Sequence, residues 1–134
     1  MKILPVIAIM IFELLSNCPV SSAEHWIPME SPAGTKWFWD GDSAWFDCTT
    51  GNGGVNEKMV DEDESSLPRS AVVSVKFYFD DYTAEKTYGY AHIYDASGKE
   101  IAMFYDGKHV SYQKGTNGYA YVRTIAHYAM DKGR

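Results

Sequence analysis

Basic residues are in the minority in this 134-residue chain: 12 Lys and Arg stand against 18 Asp and Glu, and the net charge is −6. That balance argues against nucleic acid and against an anionic membrane surface as partners. Cysteine is scarce too, with Cys18 and Cys48 alone. Long apolar runs are absent after Ile3–Phe12, so no later segment is expected to span a membrane. No glycine-rich phosphate loop, G-x-S-x-G or nucleotide fingerprint is present. The four histidines show no H-x-x-x-H spacing, so neither a structural zinc site nor any other metal or cofactor site is expected.

The first 23 residues read as an export signal. Met1-Lys2 is basic, Ile3–Phe12 is apolar, and Ser21-Ser22-Ala23 offers small residues for cleavage after Ala23. A retained anchor is disfavoured because a spanning helix needs about 20 apolar residues. A lipid on Cys18 is the other alternative, though Asn17 before it fits poorly. With the signal removed, Cys48 has no mate. It is then a buried thiol, an intermolecular bridge or a reactive group, and a small buried hydrophobe is the favoured reading. Residues 24–134 suffice for one domain without a disulfide.

What remains is rich in strand formers. Glu24–Met29, Thr35–Asp40 and Ser43–Cys48 read as strands, the last two paired across Asp40-Gly41-Asp42. All four tryptophans fall between Trp26 and Trp45. Thr49–Ser70 carries Gly51, Gly53, Gly54 and the acidic run Asp61–Glu64, and is expected to be a long mobile loop. Ala71–Phe79 alternates strictly: Ala71, Val73, Val75, Phe77 and Phe79 form its apolar face. Asp80–Glu85 is a loop. Thr87–Gln113 then reads as a three-stranded meander with turns at Asp95–Gly98 and Asp106-Gly107-Lys108, where Asp bonds the backbone ahead and Gly supplies positive φ. Tyr119–Thr124 suits a strand and Ile125–Lys132 a short helix. The rival is one helix over Tyr119–Met130, since Val122, Ala126 and Ala129 share a stripe.

Catalytic chemistry finds little support. No local motif surrounds Cys48, and Asp47 beside it opposes thiolate formation. Asp40, Asp42, Asp61 and Asp63 do not follow the EF-hand spacing. The tyrosines remain: Tyr78, Tyr88, Tyr90, Tyr94, Tyr105 and Tyr112. On an exposed face such rings suit recognition, and otherwise they pack under the helix. Tyr88, Tyr90, His92 and Tyr94 would share one strand face. With Tyr78 they form the expected binding set.

An opening Trp26, an aromatic strand TKWFWD before Ser43, the strand AVVSVKFYF, the run Tyr94-Asp95-Ala96-Ser97-Gly98-Lys99 and a last strand before a C-terminal helix resemble the surface-adhesin protein E family of exported bacterial proteins. The resemblance implies an α+β fold, a curved antiparallel sheet of about six strands with the C-terminal helix across one face. It also implies surface or periplasmic display, and binding of a host extracellular protein or self-association. Some members tie the helix to the sheet with a disulfide. The C-terminal segment here has no Cys, which leaves packing alone to hold the helix. The usual helix-leading Pro is missing as well.

The leading expectation is an exported, non-enzymatic binding module that recognises a protein through its sheet. The alternatives are a small hydrolase or inhibitor gated by residues 49–70, and a self-associating envelope subunit.

Overall fold

The computed structural model describes residues 24–133. The expected export signal and Cys18 lie outside the described residues. Eight strands form one antiparallel sheet: β1 (Trp26–Met29), β2 (Thr35–Asp40), β3 (Trp45–Asp47), β4 (Asn52–Asp61), β5 (Ser70–Phe79), β6 (Thr83–Tyr94), β7 (Glu100–Tyr105) and β8 (His109–Gln113). One helix, α1 (Asn117–Lys132), follows them and packs against β3, β5, β6 and β8. The α+β class is as expected. The sheet is open, and its order is β1-β2-β4-β5-β6-β7, with β3 on β4 and β8 on β6.

Two lanes of the sheet are each filled by two strands laid end to end. β2 pairs with Glu57–Asp61 of β4, and β3 continues on Asn52–Gly54 along the same edge. β7 pairs with Tyr90–Tyr94 of β6, and β8 continues on Thr83–Thr87. Eight strands therefore make a sheet about six strands wide. Neither Asp-Gly step is the hairpin that the sequence suggests. At Asp106–Lys108 the chain stays on β6: Asp106 N–H donates to Gly89 O (3.0 Å), Gly107 N–H to Tyr88 O (2.9 Å), and Tyr88 N–H to Lys108 O (2.8 Å). Gly107 takes φ 73° there, a conformation that costs a residue with Cβ. The Asp95–Gly98 turn is a true hairpin, with Asp95 Oδ1 accepting from the N–H groups of Ser97 and Lys99.

The expected mobile loop at 49–70 is corrected in its first half. Residues 52–61 are β4, third across the sheet and paired with β5 over its length. Its glycines are spacers. A Cβ on Gly53 would overlap the Phe77 ring, and one on Gly54 would overlap the Trp45 indole. Only Glu62–Arg69 connects β4 to β5. Of the segment expected to gate a cleft, 52–61 is therefore strand and Glu62–Arg69 is the connection that remains. Asp80–Glu85 is corrected likewise, since β6 begins at Thr83.

The strand expected at Tyr119–Thr124 is also corrected: the rival helix is the one that forms, and it starts earlier. Thr116 caps it, its Oγ1 accepting from Tyr119 N–H (3.2 Å). Val122, Ile125, Ala126 and Ala129 are buried on its inner stripe. They meet Trp39, Val55, Val73, Val75, Phe77 and Ala84 of the sheet. Packing is not the sole attachment. Lys132 Nζ donates to Gly41 O (2.6 Å) and Asp42 O (2.9 Å), and Tyr128 stands edge-on to Trp39 with ring centroids 5.2 Å apart.

The helix also needs a glycine near its start. A Cβ on Gly118 would overlap the Tyr112 ring of β8. Alanine raises helix propensity by about 1 kcal/mol, while overpacking costs about 1–3 kcal/mol. Gly118→Ala is expected to lower the melting temperature by a few degrees in a thermal scan. A value at or above wild type would show that Tyr112 yields freely.

Candidate functional site

The five expected binding residues do not form one patch. Gly89 and Tyr90 of β6 both lie opposite Ser74, where the β5–β6 register shifts between Val73 and Val75. This bulge turns the side-chain alternation over. Below it, Ala84, Lys86 and Tyr88 face the helix side. Above it, Ala91 and Ile93 take that side, so Tyr90, His92 and Tyr94 face outward. Tyr88 is thereby separated from its expected companions. Tyr78 shares the outer face but pairs with Glu85, far along β5 from the Ser70–Tyr94 pair. Its hydroxyl donates to Asp80 Oδ2 (2.8 Å), a bond that raises the Tyr78 pKa.

Tyr90, His92 and Tyr94 instead join residues of β7. Tyr90 and Tyr105 rings meet at 5.3 Å between centroids. His92 Nδ1 lies 2.9 Å from Glu100 Oε1. Met103 pairs with His92 on this face, and Phe104 pairs with Ala91 on the other. Every residue of β7 is exposed. Ile101, Met103, Phe104 and Tyr105 are 45–60% accessible. β7 hydrogen-bonds to β6 alone among the described strands, so its second edge offers a free row of backbone donors and acceptors. Edge strands usually carry a charge or a proline, or are covered by another element. Here the sole charge is Glu100 at the strand's start.

The helix side holds a second feature that the sequence did not disclose. Lys86 and Glu57 are 4% and 2% exposed and form an ion pair, Nζ to Oε2 at 2.9 Å. Tyr121 donates its hydroxyl to the same Oε2 (2.7 Å). The Lys86 ammonium stands 4.9 Å from the Tyr88 ring centroid and 4.7 Å from that of Tyr121. Burial, and then the Glu57 charge, push both phenols above their ordinary pKa. These groups sit beside a cleft of about 470 Å³ between β1, β2, β6, β8 and the first half of α1. Trp37 and Tyr88 line this cleft and also a neighbouring cavity of about 200 Å³. Tyr88 and Tyr112 therefore lie beneath the helix, while Tyr90 and Tyr105 lie in the open. Period-two spacing of Val55, Glu57 and Met59, and of Ala84, Lys86 and Tyr88, was the available signal for the buried pair.

Other candidates resolve plainly. Cys48 is exposed, which corrects its expected burial. It lines a shallow cavity with His127, whose ring packs edge-on to Phe79. Asp40 is buried and serves the backbone, Oδ1 accepting from the N–H groups of His25 (2.9 Å) and Asp42 (3.0 Å). Among the described residues, no three His, Cys, Asp or Glu converge to hold a metal ion, and no helix is long and apolar enough to cross a membrane. Comparison of the chain with family models, with curated proteins and with solved structures returned no match.

Proposed function

We propose that the protein is an exported, non-enzymatic binding module that recognises a protein partner at the β7 end of its sheet. One observation carries this: β7 exposes its whole second edge together with apolar side chains on both faces. An extended segment of a partner can add to that edge as a further strand, with main-chain bonds giving affinity and alternate side chains giving specificity. Tyr90, Met103 and Tyr105 would form the outer contact, and Phe104 the inner one. Export rests on the N-terminal signal pattern, and display at a bacterial surface on the resemblance to the adhesin family.

The partner is sought by passing envelope extract and host extracellular matrix proteins over the immobilised protein. A retained protein should bind at least tenfold more weakly to Met103→Asp and Tyr105→Asp, while melting temperatures stay near wild type. Failure to retain any partner, or equal binding by both variants, would overturn the assignment.

Self-association is the second reading, favoured by the β7 sequence itself. In an antiparallel pair about a two-fold axis, Glu100 can face Tyr105 of the other copy, Ile101 can face Phe104, and Ala102 can face Met103. No like charges then oppose one another. Sizing over a concentration series decides it, because the dimer should dissociate in Met103→Asp.

A further inference from the structure

We infer that the cleft beneath the first half of α1 binds an elongated apolar molecule with one neutral, hydrogen-bond-accepting head group, of the long-chain alcohol or ketone class. The inference is independent of the β7 edge.

The size is suitable. Small-molecule sites generally occupy about 300–1,000 Å³ and are mostly apolar, with a few placed polar groups. The cleft offers about 470 Å³. Its wall carries Met29, Trp37, Trp39, Tyr88, Tyr112 and Tyr121. The adjoining cavity adds an aliphatic floor of Met59, Ala71, Val73 and Ile93. An acyl-type chain can lie along these walls and displace water from them.

The head group follows from the buried ion pair. A lysine ammonium has three protons to donate. Among the described residues, Lys86 makes one hydrogen bond, to Glu57 Oε2. The Tyr88 and Tyr121 rings are its other close neighbours. The ammonium lines the cleft, so its remaining donors point to where a ligand oxygen can take the place of water. A ligand oxygen would satisfy it, and buried unsatisfied donors are costly.

Charge decides which oxygen. Lys86 and Glu57 cancel, so the floor is neutral overall. A ligand carboxylate would bring a second anion near Glu57, and a ligand ammonium would face Lys86. A hydroxyl or carbonyl escapes both penalties. Glu30, exposed at the rim, is the other charged group lining the cleft and adds to the penalty for a ligand carboxylate.

The test uses N-phenyl-1-naphthylamine, a neutral fluorescent probe, bound to the purified protein at pH 7 and displaced by 1-decanol, decanoate or decylamine. Decanol should displace the probe at a concentration at least tenfold below either charged analogue. Thr124 is exposed on α1 and lines the cleft. Thr124→Trp should block probe binding with little change in melting temperature. The paired substitution Glu57→Gln with Lys86→Met should retain the probe and lose the tenfold preference for decanol. If that variant does not fold, Thr124→Trp still decides occupancy and the head-group series still decides class. Absence of probe binding, binding indifferent to Thr124→Trp, equal displacement by decanoate, or a preference retained in the folded paired variant would each overturn the inference.

Discussion

Replacing Glu57 by alanine is expected to destabilise the protein by about 3–5 kcal/mol. Glu57 is 2% exposed, and one of its oxygens holds both the Lys86 ammonium and the Tyr121 hydroxyl. Its loss leaves Lys86, 4% exposed, charged with little access to water. Its close neighbours are then the two tyrosine rings, which cannot replace a carboxylate. The cost is therefore that of an orphaned charge and not the net worth of the pair. Burial of both ions is expensive in itself, so a neutral isostere should behave differently. Glu57→Gln with Lys86→Met removes both charges and leaves Tyr121 an acceptor. That paired variant should recover most of the lost stability. Urea denaturation of the three proteins gives the comparison, and a Glu57→Ala loss below about 1 kcal/mol would show that water reaches the pair after all.

Phe77→Ala is expected to cost a similar amount, about 3–5 kcal/mol, through a cavity in the middle of the sheet. Phe77 is buried and lies nearly parallel to Phe46, with centroids 6.0 Å apart. Its ring fills the space that Gly53 leaves on the neighbouring strand. The two positions are complementary, one oversized and one without a side chain. Gly53→Ala alone should destabilise by overpacking. In the Phe77→Ala background the same change should cost less, with a residual penalty because the Trp45 carbonyl oxygen still stands 2.6 Å from the added methyl. Denaturant midpoints around this double-mutant cycle measure the coupling. Additive effects would mean that Trp45, not Phe77, sets the limit at Gly53.

The cycle also shows why part of the fold was hidden. β5 was plain, because strict alternation from Ala71 to Phe79 has one simple reading. The Asp95–Gly98 hairpin was plain because its turn bonds are local. β4 was not, because its glycines imitate a loop until Phe77 and Trp45 are seen to occupy their space. Asp40-Gly41 and Asp106-Gly107 were misread for a related reason. The chemistry that turns a chain back also lets it step along one neighbour, and only the register on β4 and β6 separates the two outcomes. The helix start was missed because Tyr119, Tyr121 and Val122 favour strands locally, while tertiary burial of the Val122–Ala129 stripe decided otherwise. In the expected binding set, Gly89 was the one visible sign of the bulge that sends Tyr88 inward. The Glu57–Lys86 pair had no local sign of its partnership, since the two residues lie 29 apart in the chain. Nor did the exposure of β7: its residues look like core strand until no element is found to cover them.

The order of elements bears on when these groups are sealed. Every strand precedes α1, yet Tyr121 completes the Glu57 site across 64 residues and Lys132 clasps the Gly41 turn across 91. Most strand pairings are local hairpins that can form as the chain lengthens. The charged floor of the sheet, by contrast, stays wet until the helix arrives. During synthesis the residues of the aromatic wall thus emerge before the helix that covers them. The cover over that wall is the last element of the described residues, the sixteen of α1.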